Sequence, residues 1–198
     1  MTIVVATTNA HKLNEIRHIL NASPCIVESI EKYLKIRAPE ETGRTFADNA
    51  RLKALYYSAN ISQLTVAEDS GLEIDGLDGA PGIHSARYPG ATYQDKFRRI
   101  YAQLHERGLA TSPARFVCAV ALAQNQKIIF ESQGVIEGQI AERPIGIAGF
   151  GYDPILFYPP HNCTLAELTP DEKAQVSHRG QAFRTLHKYL ASHHFTKP

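Results

Sequence analysis

The sequence predicts an α/β fold, because segments typical of strands and helices alternate along the first third of the chain. Residues 2–6 (TIVVA) form a β-branched apolar run, which is typical of a buried strand. Four apolar residues at spacings of three and four follow between positions 13 and 20, as on one face of a helix. A second helix is predicted over 46–60, before a second strand at 64–67 (LTVA).

The other elements of the first half follow from local signals. Residues 25–38 have room for a short strand and a connection. The sequence Thr45-Phe46-Ala47-Asp48 resembles a capping box, so the second helix is expected to begin at Phe46. Six glycines and prolines between 75 and 91 predict a loop, and 93–107 has a helical pattern.

The second half begins with a predicted β-hairpin. Alternating apolar residues over 116–122 are followed by a polar turn and by a second apolar run at 128–130. A third strand is expected at 135–136, a glycine-rich loop at 146–154 and a last helix from Ser177. No repeat or linker is apparent, so the chain is expected to form one domain or two closely packed lobes.

The composition narrows the function classes. Of 198 residues, 43% are hydrophobic and 21% charged, as in ordinary globular proteins. The net charge of +1 gives no global field for nucleic acid or an anionic membrane, so any bound anion needs a local cluster. Three widely spaced cysteines suit a reducing compartment, and no apolar run approaches the roughly 20 residues of a membrane span. With no signal-peptide pattern, a cytoplasmic location is expected.

The first candidate site is the segment 7–12 (TTNAHK), which connects the first predicted strand to the helix that follows. Helix N-termini carry unpaired N–H groups and a partial positive charge, so they bind anions readily. Thr8 or Asn9 can cap this helix, and Lys12 adds a cation in its first turn. The alternative interpretation is an ordinary capped helix with a solvated lysine.

The second candidate is the loop 39–43 (PEETG) together with the helix that follows. Glu40 and Glu41 lie side by side in the loop, and Thr45, Asn49 and Lys53 share one helix face at spacings of four. A solvated surface is the alternative for this group.

The third candidate is the pair Glu68–Asp69, which is expected to end the strand that begins at Leu64, just before a Ser70-Gly71 turn. Ligands of α/β proteins bind at this edge. Two adjacent carboxylates repel unless a cation or proton intervenes, and Mg²⁺ commonly needs only one or two of them. Because successive strand residues point to opposite faces, Asp69 is expected to face the metal and Glu68 to be structural. A solvated strand end is the alternative.

The fourth candidate combines Lys173 with a basic helix start at Ser177-His178-Arg179 and the loop 149–154 (GFGYDP). An aromatic side chain on a flexible backbone could stack on a nucleobase. Ordinary surface residues are again the alternative. Neither a P-loop nor a GxGxxG fingerprint follows the first strand. Taken together, the four groups suit a nucleoside polyphosphate with Mg²⁺.

Five ordered segments carry a resemblance to a known family: TTNAHK, EETGRTFADNARLKA, AEDSGLEIDGLDGAPGIHSARY, GFGYDPIL and SHRGQA. From about residue 3 to residue 190 the chain resembles the bacterial noncanonical purine NTP pyrophosphatases, relatives of inosine triphosphate pyrophosphatase. The resemblance implies Mg²⁺-dependent hydrolysis of ITP, dITP, XTP and dXTP to the monophosphate and pyrophosphate, which cleanses the nucleotide pool. It also implies an elongated single domain over 1–198, with a central mixed sheet flanked by helices and two lobes around a deep cleft, and a homodimer.

The resemblance also implies roles for individual residues. Asp69 matches the proton acceptor and metal ligand, and Glu40 matches the second metal ligand, with Glu41 beside it as the alternative. Thr8 stands where relatives often have glycine, and Glu68 where they often have aspartate. The implied substrate contacts are Thr7, Thr8, Asn9, Ala10, His11, Lys12, Lys53, Ser70, Phe150, Gly151, Tyr152, Asp153, Lys173, His178 and Arg179.

Three other functions compete with this one. A Maf-type nucleotide pyrophosphatase would share the general architecture but act on other nucleotides, and the SHRG and GFGYDP segments favour the purine enzyme. A nucleotide-binding module without hydrolysis is the second alternative. A nucleic-acid-binding protein is disfavoured by the net charge of +1 and by the lack of an extended basic stripe.

Overall fold

The computed structural model describes residues 1–23, 25–33 and 38–193 and has the predicted α/β fold. Positions 34–37 of the connection predicted over 25–38 lie outside the described residues. The α-helices are α1 (Ala10–Ile19), α2 (Phe46–Ser58), α3 (Tyr93–Glu106), α4 (Pro170–Val176) and α5 (His178–Ser192). The strands are β1 (Thr2–Val5), β2 (Ile26–Ser29), β3 (Leu64–Ile74), β4 (Pro113–Gln124), β5 (Lys127–Ile140), β6 (Leu156–Tyr158) and β7 (Cys163–Thr164). None of the helices in the described ranges is long and apolar enough to span a bilayer.

The strands form a mixed sheet in the order β2-β1-β3-β4-β5-β6-β7. Strand β1 runs parallel to both β2 and β3, as expected for strands joined by helical crossovers. The pairs β5–β6 and β6–β7 are antiparallel. The hairpin between β4 and β5 turns at Asn125 and Gln126, which both have positive φ, at 49° and 61°. Such turns match the twist of the strands they join.

The chain divides into two compact units. The first comprises Met1–Asp69, Cys118–Gly134 and His178–Pro198, and the second comprises Ser70–Val117 and Val135–Ser177. Each has its own apolar core. The first core includes Ile3, Ile16, Val66, Leu122 and Phe183, and the second includes Leu72, Phe97, Leu104, Ile136 and Ile155.

Strand β3 corrects the prediction that the strand ends at Glu68 and Asp69. It continues through Ser70 and Gly71 to Ile74, so no turn follows the two acids. The Leu72 N–H donates to Ser85 Oγ at 2.9 Å, and a Cβ at position 71 would lie only 2.4 Å from that oxygen. Gly71 therefore serves a close approach within an extended strand and not a reversal of the chain.

Two further predictions differ from the structure. The third strand expected at 135–136 belongs to β5, which is a single strand of 14 residues. The last helix begins at His178, with Ser177 as the residue between it and α4, which was not predicted. Helix α4 has a recognisable signal, because Thr169, Pro170 and Glu172 form a capping box with proline in the first turn.

Candidate functional site

The start of α1 is organised by Asn9. Its side-chain oxygen accepts hydrogen bonds from the N–H groups of His11 (3.0 Å) and Lys12 (3.2 Å), and Thr7 Oγ1 accepts from the Asn9 N–H at 3.2 Å. Of the two cap residues that the sequence offered, Asn9 is therefore the one used. Residues 8–11 are exposed, and Lys12 is half-buried.

Lys12 points to a buried carboxylate, Glu68, whose side chain is 1% exposed. The Lys12 ammonium lies 2.6 Å from Glu68 Oε1, while Arg179 Nη2 lies 3.6 Å from Oε2. The Cys118 thiol donates to Oε2 at 3.5 Å. Burial alone would raise the pKa of Glu68, but Lys12, Arg179 and Lys53 hold that pKa well below its usual range. The charged form of Glu68 is therefore favoured, and its carboxylate is ion-paired inside the protein.

Arg179 is 2% exposed and is held by a second carboxylate. Its Nη1 donates to Glu15 Oε2 at 2.6 Å. Burial opposes the charge of Arg179, yet Glu68 and Glu15 raise its pKa above the ordinary value. Sequence reasoning missed Glu15, although it lies three residues after Lys12 and so shares a helix face with it. Two bases, Lys12 and Arg179, are thus balanced by two acids.

His178 is the first residue of α5 and is buried beside β5. Its carbonyl oxygen lies so close to Gly134 that a Cβ there would be 2.0 Å away. The glycine therefore allows the start of α5 to pack directly on the backbone of the strand.

The second group of the first unit is centred on Asp69, which is 6% exposed. Lys53 Nζ donates to Asp69 Oδ1 at 2.9 Å and to Glu41 Oε1 at 2.7 Å. Asn49 Nδ2 donates to the other oxygen, Asp69 Oδ2, at 3.1 Å. Burial raises the pKa of Asp69, and Glu41 and Glu68 add to the rise, while Lys53 opposes it. Such an environment favours a carboxylate that takes up a proton or a cation.

The two acids predicted as alternatives in the 39–43 loop differ in their surroundings. Glu41 is half-buried and contacts Lys53, whereas Glu40 is exposed. Because Glu41 and Asp69 both contact one ammonium, a single cation already bridges them. No three His, Cys, Asp or Glu side chains converge as a metal cluster in the described parts of the chain. Two carboxylates nevertheless suffice for Mg²⁺, which usually completes its shell with water and substrate phosphates.

In the second unit, Asp153 organises the predicted base-binding loop. Its Oδ2 accepts from the Phe150 N–H at 2.7 Å and from Lys173 Nζ at 2.5 Å, and that ammonium lies 5.0 Å from the centroid of the Phe150 ring. Asp153 and Lys173 are buried, while Phe150 is half-buried. Phe150 is thus the partly accessible aromatic of this segment.

The second aromatic of the loop, Tyr152, is buried. Its hydroxyl donates to the Ser85 carbonyl at 2.8 Å, and its ring packs edge-on against Tyr93 at 5.3 Å between centroids. Sequence reasoning missed Tyr93, because nothing in its local pattern relates it to a segment about sixty residues away. Ser70 is half-buried in β3, directly after Asp69.

Gly149 offers a test of this loop, because a Cβ there would lie 2.1 Å from Asp153 Oδ2. Gly149 has φ +70°, and Gly108 has φ +72° with no atom within 4 Å of its Cβ position. We expect Gly108→Ala to cost about 1–2 kcal/mol of unfolding free energy through backbone strain alone. Gly149→Ala should cost roughly 1–3 kcal/mol more, because Asp153 must move away from Phe150 and Lys173. Urea denaturation of both variants measures the difference, and equal losses would contradict the contact.

The fold and the groups around Glu68 and Asp69 define an α/β protein with half-buried lysines, a buried arginine and paired carboxylates, a set of side chains suited to a phosphorylated ligand. The model of the Ham1 family matches residues 3–189, so the chain belongs to the Ham1 family.

Several relatives are similar to this protein, in sequence or in structure, over almost the whole chain. The dITP/XTP pyrophosphatase of Exiguobacterium sibiricum is 44% identical over 197 residues, covering 97% of this chain and 98% of the relative. That of Synechocystis is 41% identical over 186 residues, 93% of each chain. The structure of a HAM1 protein from Coxiella burnetii has a TM-score of 0.89 and 37% identity, covering 98% of this chain and all of the other. A nucleoside-triphosphatase, or dITP/XTP pyrophosphatase, from Mycobacterium abscessus has a TM-score of 0.72 and 37% identity, covering 94% and 98%.

Proposed function

We propose that this protein hydrolyses dITP, ITP, XTP and dXTP to the nucleoside monophosphate and pyrophosphate, and so removes deaminated purines from the nucleotide pool. The names of the full-length relatives support the substrate class. The observation that carries the reaction is the Asp69 group, in which two acids, Asp69 and Glu41, share one cation, the Lys53 ammonium.

The proposed metal is Mg²⁺, held by Asp69 and by Glu41, which replaces Glu40 as the favoured ligand because it already contacts the cation that Asp69 contacts. When bound, Mg²⁺ would neutralise negative charge on the phosphates. Asp69 is the residue that orients the attacking water and accepts its proton, since its raised pKa favours protonation. Lys12 and Lys53 would counter the charge that develops on the departing pyrophosphate.

For the base, the proposal relies on the 6-oxo group of hypoxanthine and xanthine, which accepts hydrogen bonds where adenine has a donor. A guanidinium has five N–H donors, so Arg179 can hold Glu15 and Glu68 and also reach a base. His178 and the backbone of the loop at Phe150–Asp153 are the other proposed donors, and Phe150 is the proposed stacking surface. Adenine would leave a buried donor unpaired, at a cost of about 1–3 kcal/mol.

The other proposed substrate contacts are those of the phosphate-binding segment Thr7, Thr8, Asn9, Ala10 and His11, together with Ser70, Gly151, Tyr152, Asp153 and Lys173. We also propose that the protein acts as a homodimer in the cytoplasm. The substrate contacts and the homodimer follow from the family resemblance, and the cytoplasmic location follows from the three widely spaced cysteines.

The test is pyrophosphate release from ITP, XTP, GTP, ATP and dTTP, each with Mg²⁺ and with excess chelator. We expect release from ITP and XTP far above that from the other three, and its loss with chelator. Activity mainly on dTTP would instead support a Maf-type enzyme. Binding of ITP without turnover would leave a nucleotide-binding module as the function.

A further inference from the structure

Asn49 is a fully buried polar residue in the first turn of α2, with no exposed surface. A side-chain amide taken out of water is costly unless both of its ends have partners. Asn49 lies on the same helix face as Lys53, four residues before it.

Both ends of this amide have defined partners. The Gly43 N–H donates to Asn49 Oδ1 at 2.8 Å, and Asn49 Nδ2 donates to Asp69 Oδ2 at 3.1 Å. The opposite orientation of the amide would set two donors against each other at Gly43 and two acceptors at Asp69. The chemistry of the partners therefore fixes the orientation.

The two bonds act on the two carboxylates of the proposed metal site. The bond to Asp69 occupies Oδ2 and leaves Oδ1 towards Lys53, which it contacts at 2.9 Å. The bond to Gly43 holds the loop that carries Glu41, two residues earlier.

The loop that carries Glu41 packs closely against Asn49 at Gly43. A Cβ at Gly43 would lie 2.6 Å from Asn49 Oδ1 and 2.9 Å from the Asn49 backbone nitrogen. Only a glycine fits there without a shift of one of these atoms.

We propose that Asn49 is a positioning residue that sets the separation and orientation of Glu41 and Asp69, so that both can bind one divalent cation. This inference rests on the proposed function, because it assigns Mg²⁺ to those two acids. Asn49 acts through the acids and does not itself contact the cation. Residues of this kind, which hold metal ligands from outside, typically change metal affinity about 10–100-fold when they are replaced.

The experiment compares Mg²⁺ affinity, measured by calorimetry without nucleotide, in wild type, Asn49→Leu and Asn49→Ala. Leu has a similar size and removes both hydrogen bonds without adding charge, and Ala is a second neutral variant with high helix propensity in case Leu cannot be packed. We expect both variants to bind Mg²⁺ at least about tenfold more weakly. In turnover assays the Mg²⁺ concentration for half-maximal rate should rise, and high Mg²⁺ should restore most of the maximal rate.

Ser58→Ala is the matched control, because Ser58 is a buried polar residue of the same helix whose hydroxyl donates to the Leu55 carbonyl at 3.1 Å. Its melting temperature can fall, but its Mg²⁺ affinity should equal that of wild type. Wild-type affinity in the folded Asn49 variants would overturn the positioning role alone. A wild-type protein that binds no Mg²⁺, with or without nucleotide, would instead overturn the proposed metal site.

Discussion

Asp69→Asn is expected to reduce pyrophosphate release from dITP by about 10³-fold or more, since a positioned general base alone contributes roughly 10²–10⁴-fold. Asparagine keeps the size of the side chain but loses the charge that binds Lys53 and the proposed Mg²⁺. It also loses the oxygen that could accept a proton from water. The measurement is the steady-state rate at saturating Mg²⁺, together with the melting temperature.

The control for this variant is Asp75→Asn, at the next aspartate along the chain. Asp75 is exposed and pairs with Arg115 at 2.9 Å. Its replacement should leave the rate unchanged, whereas a wild-type rate in a folded Asp69→Asn protein would refute the role of Asp69. The melting temperature of Asp69→Asn should stay close to that of wild type, because Glu41 still pairs with Lys53.

Glu68→Ala is expected to have the largest effect on stability. Removing one partner of a buried ion pair typically costs about 3–5 kcal/mol, because the remaining charge stays buried without compensation. Here two cations, Lys12 and Arg179, lose the carboxylate they share, while the contact of Arg179 with Glu15 remains. The free energy of unfolding in urea measures the loss.

Two companion variants make this result specific. Glu68→Asp retains the charge, so it should recover a large part of the lost stability. Glu131→Ala removes an exposed partner of Arg51 and should change stability far less, as surface pairs usually do. Similar losses for Glu68→Ala and Glu131→Ala would mean that the buried cluster contributes no special stability.

The parts of the fold that the sequence predicted are those determined by local chemistry. The starts of α1 and α2 were recognisable because Asn9 and Thr45 cap them with hydrogen bonds to residues two or three positions away. The hairpin at Asn125 was recognisable because a short polar turn separates two apolar runs. The continuation of β3 beyond Asp69 was not, because Ser70-Gly71 has the composition of a turn, whereas its extended form belongs to a strand paired with distant parts of the chain.

The residues of the candidate site likewise include some that the sequence predicted and some that depend on distant contacts. Lys12 was found at a predicted helix start, Lys53 on a predicted helix face and Asp69 at a predicted strand end, and the family resemblance gave them roles. The structure pairs each of them with an opposite charge in the first unit. Glu15 was missed because its partner, Arg179, lies 164 positions further along the chain. The sequence predicted the helix face on which Asn49 lies. It did not predict the two hydrogen bonds of Asn49 to Gly43 and Asp69, because local spacing indicates neither of them.

The alternating set Lys12, Glu68, Arg179 and Glu15 has a consequence for how this protein can diverge over generations. Each member is balanced by its neighbours, so a replacement at one position leaves an odd charge in the interior. Drift at these four positions should therefore occur in compensating pairs, and a lineage that loses the arginine should soon lose an acid as well. Substitutions at these four positions are therefore expected to be coupled and not independent.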